Sequence, residues 1–361
     1  MLFQTNSFSG AVADQPETGS GAMAAVKEIN KSGGVNGHLL KLDQCDNQVT
    51  PNLTNTCVAQ AGTDKAAAFV GSGVFFPAAW PIIQKEGIPY LLGEGLTPAE
   101  DTDSVSFPLA GQPGWYYGIS AYLKELGATH PALIRCEISA CAYGGTLLYS
   151  AFKQMGITPV RTVIAPLATT DYTSFAAEAI QGDVNAAIIT GTEATAVPEA
   201  IALRQQGFKG KIIGVSADIS QNALPSLGSA AAGLYVIGQV KQPTTSNSTI
   251  TQFKADMTAY APQAKQDELA LVAWASVKLF AQVAVHLKTV DASTVLKALQ
   301  TAKVGTYKTG VTAALPAATT SPLKGYPRLG FDPTVTYNQV QNGVIQQTTS
   351  GYPNPFIVHA G

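Results

Sequence analysis

A glycine-rich loop supplies the residue types that could hold an anion through its backbone. The run 71–76 (GSGVFF) lies between an apolar strand-like run, 67–70, and Pro77, which suits the first turn of a helix. Glycines let a ligand approach the main chain, and backbone N–H groups before a helix attract negative charge. We therefore expect a ligand carboxylate to contact this loop, while an ordinary strand-to-helix turn stays the alternative. The candidate contacts are Ser72, Gly73, Val74 and Phe75.

The elements that must position this loop alternate between strands and helices. Apolar strand-like runs occupy 2–3, 39–42, 67–70, 88–92, 132–135, 160–165, 186–190, 212–215 and 234–240, with helical segments between them. Continuously apolar strands separated by helices are typical of parallel sheets covered on both faces, which bind ligands at the carboxyl ends of their strands. The sequence therefore predicts an α/β fold. It also predicts longer helices at 249–260, 267–287 and 291–301, and tail strands at 335–337 and 344–346 around an Asn342-Gly343 turn.

Length and composition exclude several classes of protein. The chain has 361 residues, which suits two domains, each able to bury its own core. Only 13% of the residues are charged and the net charge is −2, so there is no basic surface for nucleic acid or an anionic membrane. The uncharged stretch 66–83 is interrupted by glycines and prolines, which argues against a membrane span.

The motifs of common enzyme classes are absent from the sequence. It contains no dinucleotide-binding glycine motif after the first strand, no nucleophile elbow, no phosphate-binding loop and no paired-histidine zinc helix. We therefore expect no enzymatic activity, no cofactor and no metal.

The four cysteines form two local pairs, Cys45 with Cys57 and Cys136 with Cys141. The histidines are scattered, so neither pair has the spacing of a metal site. An even number of cysteines in local pairs favours two disulfides and an oxidising compartment. Four unrelated buried thiols remain the alternative.

The first forty residues carry a family resemblance. Ser9-Gly10, the triplet 28–30 (EIN) and the run 33–37 (GGVNG) stand in the order strand, loop, helix, turn and strand. In this respect the chain resembles the leucine/isoleucine/valine-binding type of periplasmic solute-binding protein, and the resemblance is sharpest over 8–97. It implies two doubly wound parallel-sheet lobes joined by three crossing segments near 108–115, 240–243 and 326–333. Lobe I would comprise 1–112 and 244–325, and lobe II 113–243 and 326–361.

The resemblance also implies a set of ligand contacts in lobe I. Gly95 and Thr97 match a family segment that holds the ligand carboxylate together with the loop at Gly73. Gln15 occupies the approximate place of another contact. Two departures stand out, because Gly73 replaces a frequent serine and Glu94 replaces a usual proline.

In lobe II the resemblance points to a tyrosine and an acid. Tyr143 matches a tyrosine that closes over the ligand, before a helix predicted at 146–155. An amino-acid ligand also brings a cation, which must be paired once water is excluded. Glu193 and Asp218 each follow a predicted strand, and either one could pair that cation.

The function implied by the resemblance is solute capture. We expect an extracytoplasmic solute-binding component of an ABC importer, which captures an amino acid or related small carboxylate between its lobes by hinge closure. Its partner would be an ABC permease in the membrane, and the protein itself would be a monomer. We expect the signal segment to be absent from this chain, and lipid anchoring stays open. The alternative is a ligand-sensing module of the same fold that serves a regulator or receptor.

Overall fold

The computed structural model describes residues 1–10, 13–317 and 331–357. The chain divides into two compact units. Unit 1 comprises Met1–Gly111 and Ser246–Pro333, and unit 2 comprises Gln112–Thr245 and Thr334–Gly361. Most of the third predicted crossing, 326–333, lies outside the described residues. The roles predicted for lobes I and II stay predictions.

Unit 1 contains a five-stranded parallel sheet in the order β2-β1-β3-β4-β5. Its strands are β1 (Leu2–Asn6), β2 (Leu42–Asp46), β3 (Ala68–Val70), β4 (Tyr90–Leu91) and β5 (Ser106–Phe107). Its helices are α1 (Pro16–Lys31), α2 (Pro51–Thr63), α3 (Trp80–Glu86), α4 (Pro98–Thr102), α10 (Ser248–Tyr260), α11 (Glu268–Ala284) and α12 (Ala292–Gln300). Neighbouring parallel strands bring the loops at their carboxyl ends to one edge of the sheet.

Aromatic packing and one close helix contact hold unit 1 together. Trp80 and Phe69 both pack against the Tyr90 ring, and Trp80 is buried in the core. On another side of the sheet α1 packs against α11, where a Cβ on Gly21 would lie 2.1 Å from the carbonyl oxygen of Ala270. Glycine is therefore required at this crossing, because any side chain would separate the two helices.

Unit 2 contains a seven-stranded sheet in the order β12-β11-β10-β9-β8-β6-β7. Its strands are β6 (Pro131–Arg135), β7 (Arg161–Ile164), β8 (Ala186–Thr190), β9 (Lys211–Val215), β10 (Tyr235–Gly238), β11 (Thr336–Gln341) and β12 (Val344–Gln347). Strand β11 is antiparallel to both of its neighbours, and the other pairings are parallel. Its helices are α5 (Gly111–Glu125), α6 (Ser139–Met155), α7 (Thr173–Ala179), α8 (Glu193–Gln205) and α9 (Leu224–Leu227).

The predicted α/β fold of parallel sheets is confirmed, and the differences are local. The second strand begins at Leu42 instead of 39, so the prediction was wrong there. Val35 pairs with His38 across the Asn36-Gly37 turn, and Leu39 then lies 70% exposed before the chain enters the sheet. Helix α6 begins at Ser139, seven residues before the predicted 146. No described helix has the length and apolar character needed to cross a membrane.

Both cysteine pairs are bonded as disulfides. The Cys45–Cys57 disulfide joins strand β2 to helix α2, and the two Cα atoms lie 5.6 Å apart. The Cys136–Cys141 disulfide joins the end of β6 to the first turn of α6, and the two Cα atoms lie 5.5 Å apart. The second bridge therefore fixes the start of the helix that carries Tyr143.

Removing the two disulfides is expected to destabilise the protein unequally. The Cys45–Cys57 bridge spans 12 residues and the Cys136–Cys141 bridge spans 5. Because a longer closed loop restricts the unfolded chain more, the paired serine variants should lose about 3 and about 2 kcal/mol of unfolding free energy respectively. Urea unfolding under oxidising conditions measures both losses. A larger loss for the Cys136/Cys141 variant would contradict this expectation.

Candidate ligand-binding site

In unit 1 the loops that follow β3 and β4 meet at the edge of the sheet. A Cβ on Gly73 would lie 2.8 Å from Glu94 Oε1 and equally close to Asn6 Oδ1. Gly73 belongs to the loop after β3, Glu94 to the loop after β4, and Asn6 ends β1. The structure therefore brings the predicted contacts at 72–75 and 95–97 together on one edge of one unit.

The polar groups of Ser72 and Gly73 anchor their loop to the sheet. Ser72 is fully buried, and its Oγ accepts a hydrogen bond from the Thr5 amide (3.1 Å) and donates to the Val70 carbonyl (3.3 Å). The Gly73 amide donates to the Thr5 carbonyl (3.0 Å), and the Gly73 carbonyl accepts from Asn47 Nδ2 (3.0 Å). Both predicted contacts are thus committed to holding the loop in place.

The next two residues, Val74 and Phe75, have backbone amides that donate no hydrogen bond within the described residues. Neither amide is a donor in any backbone hydrogen bond of residues 1–10, 13–317 and 331–357. The Val74 side chain is fully buried and the Phe75 side chain nearly so. Val74 and Phe75 therefore have amides available for the backbone role predicted for the loop, and that role stays a prediction.

The chain's own carboxylate occupies the amides of the second predicted loop. Glu100 is fully buried, and its carboxylate accepts hydrogen bonds from the Gly95 amide (2.8 Å) and the Leu96 amide (2.9 Å). Burial raises the pKa of Glu100 to about 8, the two amide bonds oppose this rise, and the charge of Glu94 adds to it. The Gly95 amide, which the sequence assigns to the ligand, is engaged within the loop.

Thr97 has a structural task in the same loop. Its Oγ1 accepts a hydrogen bond from the Glu100 amide (3.2 Å) and so caps α4. The hydroxyl proton is still able to donate to a ligand, because capping uses the oxygen as an acceptor. The predicted ligand contact at Thr97 stays a prediction.

Asn6 connects the end of β1 to helix α1 and, through Glu94, to the loop after β4. Asn6 is fully buried, and its Nδ2 donates to Glu94 Oε1 (3.0 Å) and to Thr18 Oγ1 (3.3 Å). Glu94 is 8% exposed. The acid that departs from the family pattern therefore lies at the sheet edge, directly over Gly73.

Gln15 stands at the start of α1. Its amide donates to the Ser7 carbonyl (2.9 Å), and it occupies the N-cap position of the helix. Its side-chain Oε1 is buried and has no hydrogen-bond partner among the residues described. A buried acceptor without a donor is destabilising, so this atom is a place where a ligand donor would be favoured.

In unit 2 two acids connect the loops after β8 and β9. Asp218 Oδ2 accepts a hydrogen bond from the Gly191 amide (3.1 Å), and Glu193 Oε2 accepts from Ser220 Oγ (2.7 Å). Burial raises the pKa of Asp218 to about 7, the Gly191 bond opposes this, and the charge of Glu193 adds to it. The two acids that the sequence offers as cation partners are thus adjacent.

Tyr143 lies within a helix, contrary to the loop position predicted for it. It is half-buried in the second turn of α6, beside Gly144. A Cβ on Gly144 would lie 2.2 Å from the ring of Tyr116 on α5, so the two helices approach closely there. Burial raises the pKa of Tyr116, a hydrogen bond to the Thr190 side chain opposes this, and the charge of Asp218 adds to it.

Sequence reasoning missed two buried acids, Glu100 and Glu199. Glu199 is 1% exposed on α8, and its Oε2 has no hydrogen-bond partner in the described ranges. Burial raises its pKa well above the usual value, and the charge of Asp218 adds to that. The available signal was spacing: Glu199 stands on the same helix face as the apolar Ala196, Ala200 and Leu203, all of which are buried. The described residues contain no group of acids, histidines or cysteines that could hold a metal ion.

Comparison with known proteins identifies the family. The sequence model of the periplasmic binding protein family matches residues 5–320, which is most of the chain. The chain belongs to the periplasmic binding protein family. This confirms the resemblance proposed from the opening residues, and it places the protein among binding proteins of the extracytoplasmic space. A search of curated protein sequences finds no match.

Solved structures of similar fold are available for this periplasmic binding protein. A branched-chain amino acid ABC transporter protein from Thermus thermophilus, with bound valine, has a TM-score of 0.83 at 16% identity, covering 100% of this chain and 98% of its own. A possible leucine/isoleucine/valine-binding protein from Rhodopirellula baltica has a TM-score of 0.83 at 17% identity, covering 96% and 95%. A fatty acid ABC transporter substrate-binding protein from Thermomonospora curvata has a TM-score of 0.82 at 11% identity, covering 98% and 92%. These likenesses show the fold.

Substituting Gly93 by alanine is expected to disturb the loop that Glu100 occupies. A Cβ there would lie 2.1 Å from the Tyr90 ring and 2.2 Å from Glu100 Oε1. We expect Gly93→Ala to lose about 1–3 kcal/mol of unfolding free energy. Gly145→Ala is the control, because its Cβ would meet no atom closer than 3.5 Å and alanine suits a helix. Urea unfolding measures both, and equal stability of the two variants would contradict the account.

The periplasmic binding protein should lose stability as the pH rises, in part through Asp218. Its pKa of about 7 in the folded state exceeds the value of about 3.9 in an unfolded chain. The contribution of protonated Asp218 to the free energy of unfolding is therefore fully present below the pKa of the unfolded chain. This contribution is lost as the pH rises through the pKa of the folded state. Between about pH 5 and about pH 8, Asp218→Asn should show a smaller fall in unfolding free energy than the wild type. Asp14→Asn, at an exposed site, should match the wild type, and a wild-type slope in Asp218→Asn would refute this role.

Proposed function

We propose that this protein is the extracytoplasmic solute-binding component of an ABC importer. It captures a small solute and delivers it to a permease in the membrane. The resemblance found in the sequence predicts an amino acid or a related small carboxylate as that solute. The observation that carries the proposal is the family match over residues 5–320. Two of the three neighbours named above are described as ABC transporter proteins, and they support the importer role.

The geometry of each unit supports solute binding. In unit 1 the free amides of Val74 and Phe75 and the unpartnered Gln15 Oε1 lie in loops at the carboxyl ends of parallel strands. In unit 2 Asp218 and Glu193 occupy the corresponding ends of β9 and β8. Polar groups at this edge of a parallel sheet are where ligands of such folds bind. Closure of lobe II over a solute held by lobe I belongs to the proposal, as does a monomeric state.

A sensing role on the same fold is the second candidate. Family membership fits both roles, since the fold binds solutes in either case. Genes for a permease and an ATPase beside the gene of this protein favour transport, whereas a neighbouring regulator or receptor gene favours sensing.

A binding screen tests the proposed capture of small solutes. We expect at least one compound among amino acids, small amines and small carboxylates to raise the melting temperature by several degrees. A ligand at about 100 times its Kd stabilises the folded state by about 2.7 kcal/mol. Differential scanning fluorimetry followed by titration calorimetry measures the effect. The proposal fails if no compound shifts the melting temperature and the protein also retains no solute from a cell extract.

A tyrosine pair on one helix tests the predicted site in unit 2. Tyr143 and Tyr149 both lie on α6, and the hydroxyl of the exposed Tyr149 hydrogen-bonds to Thr162 on strand β7. Tyr143→Ala should weaken solute affinity about tenfold or more, about 1.4 kcal/mol, because it removes a ligand contact. Tyr149→Ala should leave affinity unchanged. Calorimetry with the compound found in the screen measures both, and equal affinities would exclude Tyr143 from the site.

A further inference from the structure

We propose that the captured solute is an amine without a free carboxylate, because the chain's own glutamates occupy the backbone positions where unit 1 would hold a ligand carboxylate. This inference rests on the proposed function and narrows its substrate class. It is carried by two glutamates in one loop, Glu94 and Glu100. Glu94 lies over Gly73 and Glu100 accepts the Gly95 amide, and these two glycines are the predicted contacts of a ligand anion.

Glu100 occupies the position at Gly95. Its carboxylate accepts both the Gly95 amide (2.8 Å) and the Leu96 amide (2.9 Å), so no amide of this pair is left for a ligand. A ligand carboxylate would have to displace Glu100 and leave it buried without its partners. Leaving a buried polar group without its hydrogen-bond partners is unfavourable, whether or not the acid is ionised. The close fit against Gly93 leaves little space on that side for Glu100 to move.

Glu94 occupies the position at Gly73. Its Oε1 lies 2.8 Å from where a Cβ of Gly73 would stand, and Asn6 Nδ2 holds it there. The Gly73 amide also donates a hydrogen bond to the Thr5 carbonyl, so it is not available to a ligand. A ligand carboxylate therefore meets a carboxylate oxygen where the family resemblance placed an open glycine backbone.

The remaining donors in the loop do not restore an anion site. The free amides of Val74 and Phe75 directly follow Gly73, one peptide unit from the place that Glu94 covers. A carboxylate at those amides would lie close to the Glu94 carboxylate, and like charges at such distances repel. An uncharged acceptor atom of the solute fits these amides without that repulsion.

The acceptors of unit 2 favour the same class of solute. Asp218 is buried beside Glu193, and Glu199 Oε2 and Ser216 Oγ are each buried without a hydrogen-bond partner among the described residues. Asp218 also adds to the raised pKa of Glu199, which places these two acids near each other. An ammonium group brings the hydrogen-bond donors that Glu199 Oε2 and Ser216 Oγ lack.

Matched compounds separate an amine from an amino acid. Each triad consists of an amino acid, its decarboxylated amine and its deaminated acid. Suitable triads are leucine, isoamylamine and isocaproate; phenylalanine, phenethylamine and hydrocinnamate; and arginine, agmatine and guanidinovalerate. By calorimetry we expect the amine of at least one triad to bind at least tenfold more tightly than its amino acid, and the acid not to bind. Tighter binding of the amino acid or the acid in any triad overturns the inference.

A retained solute tests the inference without a choice of side chain. The protein is incubated with a total small-molecule extract of cells, washed, denatured and analysed by mass spectrometry. Recovery of an amine without a carboxyl group supports the inference. Recovery of an amino acid, another carboxylic acid or a neutral polyol overturns it and leaves the proposed function standing. Recovery of nothing, together with a screen in which no compound binds, contradicts the proposed function itself.

An isosteric variant tests the part played by Glu94. Glu94→Gln keeps an oxygen for Asn6 Nδ2 but removes the charge, so we expect an unchanged melting temperature and an amine affinity lowered about tenfold, about 1.4 kcal/mol. Glu86→Gln, at an exposed site of unit 1, is the matched control and should bind as the wild type does. If Glu94→Gln binds the recovered amine with wild-type affinity, Glu94 does not select for the amine.

Discussion

The hydrogen bonds from the Gly95 and Leu96 amides to the buried carboxylate of Glu100 organise the binding edge of unit 1. They close the loop after β4 on itself, and Thr97 completes the closure by capping α4. The bare backbone of Gly93 makes space for this arrangement. Glu94 is then directed over Gly73 and joined to the end of β1 through Asn6. One buried acid thus takes two of the backbone donors at this edge of unit 1.

Unit 2 also has a buried carboxylate that accepts a backbone amide, with different residues. Asp218, after β9, accepts the Gly191 amide, which follows the adjacent strand β8. In both units a buried side-chain carboxylate takes a backbone amide at the carboxyl end of a parallel sheet, and burial raises the pKa of that acid. Such acids are costly to bury, so their position at the edge where α/β folds bind ligands suggests a functional use.

Much of the fold is readable from the sequence because its signals are local. Continuous apolar runs indicate the parallel strands, and the Asn342-Gly343 turn has the positive φ angles that its residues favour. Strand β5 has two residues and gives no periodic signal. The start of β2 depends on the turn between Val35 and His38, after which Leu39 is still exposed. The pairing of the cysteines was also readable, since each pair is close in sequence.

The candidate site was less readable than the fold. Glu100 looks like an ordinary acid in the first turn of a helix, and only the folded loop shows that it is buried on two amides. The glycine at 73 suggested open backbone, but Glu94 from a different loop covers it. The most direct measurement is a crystal structure of the protein with the solute that it retains. The account predicts Glu100 on the Gly95 and Leu96 amides and a solute amine facing acidic side chains. A solute carboxylate on those amides, with Glu100 displaced, would contradict it.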